Sequence, residues 1–110
     1  MTTELKEIIA KCSGLEIYEN RSLSDEYCEL VFHSKDSEEW NKVLTDILGP
    51  AIKPANVKPT KDDLRLTKDY GGIQSNQTLF KKEYADKTLI AMLWPWQNGD
   101  YTTLKIILLK

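Results

Sequence analysis

Residues 88–109, TLIAMLWPWQNGDYTTLKIILL, read as two β-strands joined at Asn98-Gly99. An Asn-Gly pair between apolar runs is the strongest short-range sign of a two-residue hairpin, because that turn needs left-handed backbone which Asn and Gly tolerate. The turn sets the register. Gln97 opposes Asp100, Trp96 opposes Tyr101, Trp94 opposes Thr103 and Met92 opposes Lys105. Successive side chains then alternate between two faces. Leu89, Ala91, Leu93, Leu104, Ile106 and Leu108 form a first face with no polar interruption. Ile90, Met92, Trp94, Trp96, Tyr101, Thr103, Lys105, Ile107 and Leu109 form a second, half-apolar face. A face that meets only water has no use for two tryptophans, a tyrosine and a methionine, so a cover of some kind is expected there.

Upstream, a strand over 78–84 turns tightly at Asp86-Lys87, which predicts Tyr84 opposite Leu89 and Phe80 opposite Leu93. Phe80 and Tyr84 then join the first face, with Lys82 at an edge, and Leu79, Lys81 and Glu83 join the second. Strands are also expected over 15–18 and 27–33 around a polar loop, 20–25. Cys28, Leu30 and Phe32 share one face of the later strand; Tyr27, Glu29, Val31 and His33 share the other.

Two helices have clear apolar stripes. Leu5, Ile8, Ile9 and Cys12 recur at helical spacing, with Thr3 as the expected cap and Gly14 as the stop. Trp40, Val43, Leu44, Ile47 and Leu48 make a wider stripe. Asp36 with Glu39 suggests a capping box before it, and Gly49-Pro50 ends it. Residues 51–59, with Pro54 and Pro59, read as a stiff extended strap. Thr60 with Asp63 suggests a second capping box before a short helix that buries Leu64 and Leu66, broken at Gly71-Gly72.

The order is α-β-β-α-α-β-β-β. It predicts an α+β two-layer sandwich, with about five antiparallel strands and helices on one face. A chain of 110 residues suits one domain spanning 1–110, large enough for a core without metal or disulfide staples. The 41% hydrophobic and 29% charged content is ordinary for a globular protein. Residues 1–50 hold 11 acids against 5 bases, and residues 51–110 hold 6 against 10. That asymmetry is read first as chance plus helix-dipole preference, with self-docking or an anionic partner for the second half as the sharper alternative. No apolar run is long enough for a membrane span, and the first residues lack a signal-peptide pattern. Cys12 and Cys28 have no metal or redox spacing and are expected as reduced core thiols, in keeping with a cytoplasmic protein.

Catalytic chemistry finds little support. His33, the one histidine, falls on the strand face opposite Cys28, which argues against a Cys-His pair. Asp62, Asp63 and Asp69 lack the alternation of a calcium loop, so no metal or cofactor is expected. Gly71-Gly72 follows a helix, whereas a phosphate loop precedes one. Cations near the sheet aromatics are too few, and acids too many, for a nucleic-acid platform.

The expectation is a non-enzymatic binding or interaction domain. Its contact residues would be Met92, Trp94, Trp96, Tyr101, Lys105 and Ile107, and its partner a protein or a second copy of the chain. The alternative is a small-molecule site with an aromatic pocket beside the 71–77 loop, using Tyr70, Gly71, Gly72 and Gln77. The competing expectation for the second face is that the strap or the 71–77 loop folds over it.

Overall fold

The 88–109 hairpin forms the middle of the sheet. The computed structural model describes residues 4–12, 14–24, 26–84 and 86–109, with the side chains of Glu4 and Lys6 outside the description. Helix α1 spans Glu4–Lys11, strand β1 Glu19–Leu23, strand β2 Tyr27–His33, helix α2 Ser37–Leu48 and helix α3 Lys61–Thr67. Strands β3 (Thr78–Glu83), β4 (Thr88–Pro95) and β5 (Tyr101–Leu109) complete the chain. The five strands lie in the order β1-β2-β5-β4-β3, and every pairing is antiparallel. The α+β fold and its order of elements are therefore as the sequence pattern requires.

The β4–β5 register is the expected one, with Trp94 opposite Thr103 and Met92 opposite Lys105. The turn itself differs. Gly99 has a φ of 77°, but Asn98 does not take a positive φ. The amide of Gly99 donates to the Trp96 carbonyl, and Asn98 Oδ1 accepts from the Asp100 amide. One left-handed residue and a side-chain bond replace the expected two-residue turn without moving the strands.

The first face is the main core. Leu89, Ala91, Leu93, Leu104, Ile106 and Leu108 are buried with Cys28, Leu30, Phe32 and Phe80. Leu5, Ile8 and Cys12 of α1 and Trp40, Leu44 and Leu48 of α2 close over them. Trp40 stacks on Phe32 with ring centroids 4.7 Å apart. Each such side chain taken from water contributes about 1.5–3 kcal/mol before chain entropy is subtracted.

Several local expectations are corrected. The first strand is not 15–18 but Glu19–Leu23, inside the expected loop. It is exposed along its length, so pairing with β2 defines it and no apolar alternation reveals it. Charged side chains on such an edge discourage pairing with other chains. Leu15 and Ile17 instead pack against the core from the connector. Thr3 lies outside the described residues. Helix α1 ends at Lys11, short of the expected Gly14 stop. Asp36 makes no side-chain cap, because a 3-10 turn over Ser34–Asp36 leads directly into α2.

The Thr60–Asp63 capping box forms, with both reciprocal bonds present. The buried side of α3, however, is Asp63 and Thr67, while Leu64 is 47% exposed and Leu66 half-buried. The β3–β4 register differs by two residues, placing Phe80 opposite Ala91 and Lys82 opposite Leu89. A shift of two preserves the faces, so Phe80 still enters the core. Lys82 lies on the edge strand and donates to the Ile47 carbonyl at 3.0 Å, supplying the cation that the last turn of α2 lacks.

Candidate functional site

The second face divides into a covered half and an open half. A second apolar cluster joins Ile73, Leu79, Ile90, Met92 and Ile107, with Tyr27, Tyr70, Trp94 and Leu109 at its margin. Its cover comes from the 3-10 turn Lys68–Tyr70 and the loop that follows. Gly71 and Gly72 both have positive φ, which lets the chain reverse onto the sheet. Met92 and Ile107 are consequently buried by the chain's own loop. Their expected role as contact residues is corrected: they are core.

Lys53 secures that cover. The strap bridges back to β3, where Lys53 and Leu79 exchange backbone hydrogen bonds. The Lys53 side chain is 1% exposed, and its ammonium donates to the carbonyls of Pro54, Ser75 and Gln77. Burial pulls its pKa down, with Asp63 opposing that shift. Gln77, expected to face a ligand, is also buried and accepts from the Gln74 amide through Oε1. Gln77 is part of the loop's internal bonding.

The open half is aromatic. Tyr101 lies at the start of β5, directly opposite His33 of β2. Tyr18 enters from the connector before β1, where its amide bonds the Val31 carbonyl. Ring centroids are 4.4 Å apart for Tyr18–Tyr101, 5.3 Å for Tyr18–His33 and 5.1 Å for Trp96–Tyr101. Trp96 Nε1 donates to Thr103 Oγ1 at 2.8 Å, which fixes the indole across β5. Arg21 stands 5.5 Å from the Trp96 ring centroid. Its guanidinium also bonds Glu19 at 2.7 Å and lies 3.5 Å from Glu29, and the Glu19 hydrogen bond raises its pKa. Tyr18 is 51% exposed, while His33, Trp96 and Tyr101 are half-buried. The hydroxyl of Tyr18 pushes the pKa of Tyr101 up.

Trp94 and Lys105 lie between the two halves. The Lys105 ammonium is 3.6 Å from the Trp94 ring centroid, and burial lowers its pKa against the pull of Glu29. Glu29 is the direct cross-strand neighbour of Lys105, yet its carboxylate accepts from the Tyr27 hydroxyl and faces Arg21. Burial, followed by that bond to Glu29, raises the pKa of Tyr27.

Of the expected sheet-face residues, Trp96 and Tyr101 belong to the open cluster, and Trp94 and Lys105 to its border. Of the loop residues, Tyr70 and Gly71 pack on the face, and Gly72 serves the chain reversal. Tyr18, Arg21 and His33 were missed as surface members. Alternation places His33 on the strand face opposite Cys28, but only the β2–β5 pairing brings it to Tyr101.

The described residues hold no cluster of His, Cys, Asp or Glu arranged for a metal ion, and no helix among them is long and apolar enough to cross a membrane. The class defined by fold and surface is an α+β protein whose antiparallel sheet is capped by helices on one side and half-capped by a loop on the other. The chain matches no protein-family model, no curated protein and no solved structure.

Proposed function

We propose that this chain is a non-enzymatic interaction domain that associates with a second copy of itself through the open half of the second sheet face. The observation that carries the reading is the ring cluster of Tyr18, His33, Trp96 and Tyr101, held in mutual contact but left partly exposed. Trp, Tyr and Arg are the preferred anchors of protein interfaces. A symmetric contact must also be self-complementary. Glu19, Arg21 and Glu29 give this patch both signs of charge beside its rings. A non-enzymatic role is supported by the separation of His33, among aromatic rings, from Cys28, buried in the opposite core.

Nuclear magnetic resonance of the labelled chain over a concentration series tests this reading. Self-association predicts concentration-dependent shifts at Tyr18, Arg21, His33, Trp96 and Tyr101. Spectra that do not change with concentration would overturn it.

A further inference from the structure

A cleft of about 350 Å³ opens between the sheet and the 3-10 turn that follows α3. Tyr27, Lys105 and Ile107 line its sheet wall, Asp69 and Tyr70 its opposite wall, and Glu26 also borders it. Small-ligand sites run from about 300 to 1,000 Å³, with mostly apolar walls and a few polar groups. Tyr27, Tyr70 and Ile107 provide such a surface for a flat or branched apolar body.

The polar groups define the rest. The Lys105 ammonium is half-buried and rests on the Trp94 ring. Glu29, the nearest carboxylate across the strands, already serves Tyr27 and Arg21. A cation resting on an aromatic ring keeps N–H donors available for an oxyanion. A simple carboxylate, however, would also meet the acid Asp69. A ligand bearing both an ammonium and a carboxylate satisfies both walls.

We propose that this cleft binds a small zwitterion with an apolar body, of the free α-amino-acid class, its carboxylate on Lys105 and its ammonium towards Asp69. The site is separate from the proposed self-association surface, since neither Trp96 nor Tyr101 lines it.

The test is a titration of the labelled full chain with L-phenylalanine, followed by amide shifts. Phenylacetate, which lacks the ammonium, and 2-phenylethylamine, which lacks the carboxylate, are titrated alongside. Saturable shifts should appear at Tyr27, Tyr70, Lys105 and Ile107, with L-phenylalanine at least tenfold tighter than either comparator. Lys105→Met should weaken L-phenylalanine at least tenfold and leave 2-phenylethylamine unchanged. Asp69→Asn, an exposed change that spares the core, should weaken L-phenylalanine but not phenylacetate. Trp96→Ser should affect none of the three. The proposal is overturned by an absence of saturable shifts at millimolar ligand. Equal binding of a singly charged comparator, or an unchanged affinity in both cleft variants, overturns it too.

Discussion

A Cβ on Gly71 would fall 2.5 Å from Cη2 of Trp94, so the covering loop rests directly on the indole that borders the open surface. Gly72 shares the left-handed backbone but has nothing within 4 Å of its Cβ position. The pair separates backbone strain from steric conflict. Gly72→Ala should cost about 1–2 kcal/mol, the usual penalty for a side chain at positive φ. Gly71→Ala should cost more, since Trp94 must also move. Urea melts of the two variants check this, with Gly71→Ala expected to show the lower midpoint.

Lys53 predicts a large effect at a position that sequence alone would leave on the surface. Lys53→Met keeps the aliphatic stem but removes the donor to the carbonyls of Pro54, Ser75 and Gln77, the last of them buried. Leaving the buried Gln77 acceptor without this donor costs about 1–3 kcal/mol in mutational data. The variant should lose at least that much stability in urea. Amide hydrogen exchange should quicken first at Asn56, whose amide bonds the Ser75 carbonyl.

Leu44 of α2 is fully buried in the main cluster. Leu44→Ala should therefore cost about 2–5 kcal/mol, the range for a buried leucine whose cavity does not collapse. Chemical denaturation with an unchanged m-value would attribute the loss to packing.

Cys12 and Cys28 predict a pH dependence. Burial pushes each thiol up to about 11 from an ordinary value of 9.0. Above about pH 9 the unfolded chain releases thiol protons that the folded chain keeps. The stabilisation is thus full below pH 9 and is lost as pH rises towards 11. For one thiol the shift is worth about 2–3 kcal/mol. The stability difference between wild type and Cys28→Ala should shrink by about that amount across this interval, read from urea melts at each pH.

The first core face was legible because Leu89, Ala91, Leu93, Leu104, Ile106 and Leu108 recur at period two along β4 and β5 and the helical stripes of α1 and α2 complement them. An even error in the β3 register did not disturb it, since side-chain direction repeats every two residues. The edge strand β1 was not legible. Its residues Glu19–Leu23 are exposed, and their strand geometry comes from pairing with β2. The division of the second face was equally hidden. Met92 and Ile107 look like their neighbours Trp94 and Tyr101 in alternation, and only the path of Gly71–Ile73 over the sheet separates them. Lys53 carried no local sign of burial, because its three acceptors come from its own strap and from residues more than twenty positions away.

The open aromatic half of the sheet as a self-association surface is tested most directly by sedimentation velocity. Wild type should be compared with the double variant Trp96→Ser, Tyr101→Ser, after circular dichroism has shown the fold unchanged. Wild type should show a reversible monomer–dimer equilibrium that weakens at least tenfold in the variant. A wild-type chain that sediments as a monomer at millimolar concentration would contradict it, as would a dimer of equal strength in the variant.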